Sequence, residues 1–303
     1  MKLDLKFSLD KVKLVEFGIG RDDDEQTFVA VPVDNGVQEV LQSMALSTWQ
    51  ALQRDGDGPT KYTPSDKHAE KDYLYLPVTD DMTAGVRRLH QAANLPIDAK
   101  ALTVPGNVYC YFARLTDERQ RKLTALRRAS QFKGVVKNKG RLVRWLDDTL
   151  QIVKDTIFKL DTDFDLLIDA QNVHILRPSG FEFAGKLQQA ILNAVPDNVS
   201  AIKAELSFIE FDTIEHYAAK HPRAARYLAS IRGQADMKHI DRTALEKLCK
   251  DTGVDIYDSK GKIIVADGHE MSFLQVLDRR RYQLELVKGK PERFVAANRK
   301  QIK

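Results

Sequence analysis

Cysteine is scarce in this sequence: Cys110 and Cys249 are the only two in 303 residues. So distant a pair makes neither a disulfide framework nor a thiolate metal site. Long apolar runs are missing too. No stretch approaches the roughly 18 uncharged apolar residues of a membrane span. The opening Met1-Lys2-Leu3-Asp4-Leu5-Lys6 is charged where a secretory signal would be apolar. A reduced cytoplasm is therefore the expected setting. The usual catalytic signatures are also lacking. Gly185-Lys186, Gly261-Lys262 and Gly289-Lys290 are followed by Leu187, Ile263 and Pro291 where Ser or Thr is required, so none is a phosphate-binding P-loop. His269-Glu270 has no second histidine at metalloprotease spacing, and G-x-G-x-x-G and G-x-S-x-G do not occur. No cofactor is expected.

Net charge is also small. Lys and Arg number 47 against 43 Asp and Glu, a formal total of +4. The distribution is far less even. Residues 1–112 hold 12 basic and 17 acidic side chains, and residues 146–278 hold 15 and 22. Between them, residues 113–145 hold 11 basic and 2 acidic, and the tail, 279–303, holds 9 and 2. An acidic body thus carries two basic segments. After Glu118 no acidic residue occurs until Asp147, so helical i,i+4 ion pairs do not account for the first segment. Like charge at this density repels itself, and a polyanionic partner would relieve the repulsion.

The pattern of apolar residues predicts an α+β fold. Thr27–Val33 is a strand candidate, and Val37, Val40, Leu41, Met44, Leu46 and Leu52 recur at roughly helical spacing. Arg54–Pro59 is a loop, Tyr73–Leu76 a short strand, and Asp80 or Asp81 caps a helix through Leu89. The turn residues Pro96 and Pro105-Gly106 suggest a boundary, giving an N-terminal α+β domain over 1–105 and a second domain over 106–303. The second domain divides into a sheet-rich part, 106–178, and a helix-rich part, 179–303. Strands are expected at Val108–Leu115, Lys122–Ala129, Thr156–Leu160, Phe164–Ile168 and Val173–Leu176, mostly antiparallel. Helices follow at Gly180–Asn193, Pro222–Ile231, Thr243–Lys250 and Ser272–Leu277, with a hairpin over Ile256–Val265 and a strand at Tyr282–Val287.

Two groups of residues invite a functional reading. Asp161, Asp163, Asp165 and Asp169 alternate as the ligands of a nuclease-type Mg²⁺ site do, yet Leu166 replaces the glycine of a calcium loop and no E-x-K follows. They flank two short apolar runs, where turn and edge roles fit them better. The basic segments carry the stronger signal. Arg127, Arg128, Lys133, Lys137, Lys139, Arg141 and Arg144 form a spaced ladder, with Gly134 and Gly140 allowing close approach to a phosphate backbone. Arg279, Arg280, Arg281, Lys288, Lys290 and Arg293 repeat the pattern in the tail, and Arg223, Arg226 and Arg232 share one predicted helix. Phe132 and Trp145 fit base stacking, and core packing better. No base-reading module is present, so contacts to nucleic acid would be positional.

From about residue 107 to 290 the layout resembles the KwaB-like family, the soluble subunit of the bacterial Kiwa anti-phage defence system. The resemblance rests on the hairpin Val108–Ala129, the turn from Phe132-Lys-Gly to Gly140, and Phe164-Asp-Leu-Leu-Ile-Asp-Ala-Gln-Asn-Val-His-Ile-Leu176. Pro222-Arg-Ala-Ala-Arg-Tyr-Leu-Ala-Ser-Ile231 and Leu277-Asp-Arg-Arg-Arg-Tyr282 complete it. It implies a DNA-binding effector of phage defence, without enzymatic activity, beside a membrane-embedded partner subunit. It also implies a homodimer or higher oligomer. A metal-dependent nuclease and an interaction subunit for an acidic partner or membrane surface are the alternatives.

Overall fold

The computed structural model describes residues 3–22, 26–54, 58–66, 68, 72–101, 108–129, 143–146, 149–152 and 160–297. It divides into two compact units, one of residues 1–61 with 70–186 and one of 62–69 with 187–303.

In the first unit, β1 (Val12–Asp22) and β2 (Gln26–Val31) form an antiparallel pair, Phe17 opposite Val31. Two glycines sit inside β1 because side chains of a neighbouring strand occupy the space of a Cβ. One added at Gly18 would stand 2.5 Å from the Val29 carbonyl oxygen and against the Phe112 ring, and one at Gly20 would stand 2.5 Å from Cys110 Sγ. Helix α1 (Asn35–Leu52) starts at Asp34, whose carboxylate accepts from the Val37 N–H at 2.8 Å. Its buried residues Leu41, Met44, Ala45, Thr48 and Leu52 form one stripe. The chain continues through β3 (Thr60–Lys61), β4 (Leu74–Pro77) and α2 (Ala84–Gln91), with a 3-10 turn capped by Asp80 before α2.

Next come β5 (Val108–Asp117), β6 (Lys122–Arg128), the pair β7 (Val143–Leu146) and β8 (Thr149–Ile152), then β9 (Leu166–Ile168), β10 (Asn172–Ile175) and α3 (Pro178–Ala184). Eight strands make one sheet in the order β2-β1-β5-β6-β9-β10-β4-β3, antiparallel except for β3 beside β4. The α1 stripe packs on Phe17, Ile19, Tyr111, Ala113, Leu123, Ala125 and Leu167. Strand alternation turns Thr124 to the other face, where its hydroxyl meets His90 Nδ1 of α2 at 2.9 Å.

The mixed α+β content agrees with the expected class. The division of the chain falls elsewhere. β1 pairs with β5 from Val12–Asp117 to Arg21–Val108, so strands from 1–105 and 106–178 share one sheet and one core. The turn residues near Pro96 mark a connection within that sheet. Pro96 O accepts from Ala30 N at 2.8 Å and Asp98 N donates to Ala30 O at 2.9 Å. The strand expected at Thr156–Leu160 falls almost wholly outside the described residues.

The second unit is helical: α4 (Leu187–Asn193), α5 (Val195–Glu205), α6 (Asp212–Lys220), α7 (Pro222–Arg232) and α8 (Arg242–Thr252). Hairpin β11 (Ile256–Ser259) and β12 (Lys262–Val265), helix α9 (Glu270–Leu277), and hairpin β13 (Arg281–Val287) and β14 (Lys290–Val295) follow. Helix α7 buries Ala224, Ala225, Tyr227, Leu228 and Ile231, with Pro222 in its first turn. Asp241 caps α8, and Gly253 ends it at φ +70°, a left-handed value that glycine adopts without strain. The helix expected over Gly180–Asn193 is two helices, because Gly185 caps α3 and Lys186 turns left-handed at φ +49°.

Candidate nucleic-acid interface

Arg127 lies on β6 opposite Tyr111 of β5. Its Nε donates to Asp161 Oδ2 at 3.1 Å and its Nη1 to Asp165 Oδ1 at 2.9 Å, with Asp163 Oδ1 at 3.4 Å. Arg177 faces the same carboxylates from beyond β10, at 2.7 Å from Asp163 and 3.5 Å from Asp165. Tyr111 donates its hydroxyl to Asp161 at 2.9 Å, and the Arg128 N–H donates to Asp165 at 2.8 Å. Burial pushes the Asp165 carboxyl up from its ordinary range, against the pull of the Arg128 N–H, Arg127 and Arg177. Three of the four aspartates thus hold two guanidiniums. The fourth, Asp169, accepts from the N–H groups of Lys6, Gln171 and Asn172 and contacts His174 Nε2 at 3.2 Å. Among the described residues no group of three or more His, Cys, Asp or Glu is placed to hold a metal.

The basic segment is therefore less unpaired than its local sequence implies. Arg114 pairs with Glu16 and donates to Ala92 O at 2.6 Å, and Arg121 Nε donates to Asp117 Oδ2 at 2.7 Å. Arg127 is only 13% exposed. Arg128 lays its guanidinium 4.2 Å above the Phe183 ring, a cation–π contact. Lys133, Lys137, Lys139 and Arg141 lie outside the described residues, as does Phe132. Arg144 is placed by its backbone, opposite Gln151 in the β7–β8 pair.

In the tail the arginines divide into two kinds. Arg280 is fully buried. It donates to Asp278 at 2.6 Å and Ser65 at 2.9 Å, reaches Asp66 and the Ala297 carbonyl, and lies over the Tyr227 ring. Burial alone would lower its pKa, but Asp278 and Asp66 raise it instead. Arg281 donates to Thr252 O at 3.1 Å and Arg293 to Asp251 O at 2.9 Å, so two cations close the carbonyl end of α8. Arg279 is about half exposed and pairs with Asp236 at 2.7 Å. Lys288 and Lys290 are exposed at the tip of β13–β14. Of the α7 arginines, Arg226 donates to Pro64 O and Arg232 to Asn198 Oδ1, while Arg223 is exposed.

The family model described as Kiwa protein KwaB-like matches residues 106–286. The chain belongs to the KwaB-like family. Membership gives it a role in Kiwa anti-phage defence and implies partner subunits of that system. No curated protein and no solved structure matches the chain significantly. The KwaB-like region starts two residues before β5 and ends inside β13. It covers the whole 113–145 segment and the Arg279–Arg281 run, and leaves out β1, β2, β3 and β4, which complete its sheet. No helix among the described residues of this KwaB-like chain is long and apolar enough to cross a membrane.

Sequence reasoning missed Arg177 as the second cation of the aspartate cluster, since nothing local links it to Asp163. It also missed a groove of about 450 Å³ beside β1, whose lining includes Arg114, Thr116, Lys122 and Asn94 with Leu14 and Ile97. Only the alternation of Arg114 with Thr116 on β5 and of Lys122 with Thr124 on β6 signals that face.

Proposed function

We propose that this KwaB-like chain is a DNA-binding effector of Kiwa defence that contacts phosphates without reading sequence. The observation that carries the reading is the stretch between Glu118 and Asp147, with ten Lys and Arg and no Asp or Glu. Arg121 and Arg127 of these hold internal carboxylates. The contacts are assigned to Arg128, Lys133, Lys137, Lys139, Arg141 and Arg144, with the tail cations secondary because Arg280, Arg281 and Arg293 are committed within their own unit. The absence of a base-reading motif from the sequence supports positional contacts. Binding without cleavage is favoured because Arg127 and Arg177 occupy the carboxylates that a metal-dependent nuclease would need. The partners in this reading are phage DNA, a membrane-embedded Kiwa subunit and a second copy of the chain.

Fluorescence anisotropy with duplexes of unrelated sequence tests it. The expected result is one affinity for all of them, and a large loss when Lys137→Glu, Lys139→Glu and Arg141→Glu are combined. Strong preference for one sequence, or full affinity in the triple variant, contradicts the proposal. Plasmid held with Mg²⁺ or Mn²⁺ should stay intact, and nicking by the chain would favour the nuclease.

A further inference from the structure

Among the described residues, twelve large apolar side chains are exposed, and six of them lie on β13–β14: Tyr282, Leu284, Leu286, Val287, Phe294 and Val295. Chance exposure does not concentrate half of a set in one hairpin, so a partner surface is indicated. The base of the hairpin is held by Arg281 and Arg293 on the α8 carbonyls. Its tip is the turn Val287-Lys288-Gly289-Lys290, in which Val287 pairs with Lys290 and Gly289 has φ +75°, as the third position of a type II turn requires. Glu285 accepts from the Gly289 N–H at 2.6 Å, so the tip has its own brace. Leu286 is 85% exposed and Val287 59%, directly beside Lys288 and Lys290.

We infer that this tip docks on an anionic lipid surface. Apolar side chains next to lysines suit the boundary between headgroups and acyl chains: the ammonium groups meet lipid phosphates while Leu286 and Val287 enter the apolar layer. A nucleic-acid backbone would use the lysines and leave Leu286 in water. Strand addition by a second copy is opposed by Pro291, which has no N–H, and by the register shift between Leu284 and Val287. With two cations and two apolar side chains, the contact is weak and reversible, and it strengthens when several copies meet one surface.

The full chain is sedimented with vesicles of phosphatidylglycerol and phosphatidylcholine in equal parts, and with phosphatidylcholine alone. Binding is expected only to the anionic vesicles. Lys288→Gln with Lys290→Gln should weaken it by roughly thirtyfold. Leu286→Ser with Val287→Ser should weaken it as well, with duplex affinity unchanged. These side chains are exposed, so circular dichroism should show both variants folded. Equal binding to neutral vesicles overturns the inference, as does vesicle binding that survives both variants. If the apolar pair lowers duplex affinity instead, the tip reads DNA. If it only splits an oligomer, the tip is a contact between copies.

Discussion

Arg127 and Arg280 have the composition of phosphate-binding residues and the surroundings of structural ones. Each sits in a basic run, and each is held by carboxylates far away in sequence, Asp165 for the first and Asp66 for the second. Charge counting shows where cations concentrate and is blind to such partners. Removing one leaves buried carboxylates unopposed. Arg280→Gln should therefore lower stability by about 3 kcal/mol in urea unfolding, whereas Lys290→Gln at the exposed tip should change it by less than about 0.5 kcal/mol. Asp169 gives a second test. Burial pushes its carboxyl up, but the His174 ring and the N–H groups of Lys6 and Asn172 outweigh burial and hold it at about 2. A depressed folded pKa contributes stability above the unfolded value of about 3.9, and that stability is lost as pH falls from there toward 2. It amounts to about 2 kcal/mol. Asp165 acts with the opposite sign, so the informative quantity is the difference between parent and Asp169→Asn. The variant should lose less stability on acidification between pH 4 and about 2, and identical slopes would contradict the assignment.

At the scale of elements, legibility followed local chemistry. The cap at Asp241, the stop at Gly253 and the proline opening α7 were visible because each acts within a few residues. The strand β1 was not, although its pairing with β5 runs nearly its full length. Gly18 and Gly20 dilute its pattern, and the reason for them lies in Phe112 and Cys110 on the neighbouring strand. Gly18→Ala should accordingly lower stability by about 1–3 kcal/mol, since the Val29 backbone and the Phe112 ring have to give way. Gly289→Ala meets open space and strains only its positive φ, for about 1 kcal/mol. A loss at Gly18 clearly smaller than that at Gly289 would contradict the packing account of β1. Strand β14 also escaped sequence reading, because Pro291 demotes it and its partner face is exposed.

For the whole molecule, composition gave the class and the charge pattern, and pairing decided the architecture. A stretch rich in turn residues near Pro96 looked like a linker, yet β1 and β2 close the same sheet as β5 and β6. The candidate site was legible as a region and not as a set of contacts. Its central cations, Lys133 to Arg141, are named by sequence, while geometry removes Arg127, Arg280 and Arg281 from the freely available set. What remains is a KwaB-like chain whose acidic body carries a basic tail and a stretch with ten Lys and Arg and no Asp or Glu. Salt dependence of DNA binding tests that claim most directly. With about six phosphates contacted, log affinity against log salt should fall with slope about −5, and the slope should shrink by about one for each cation lost from Lys137, Lys139 and Arg141. An affinity indifferent to salt, or a slope unchanged in the triple charge-reversal variant, would contradict it.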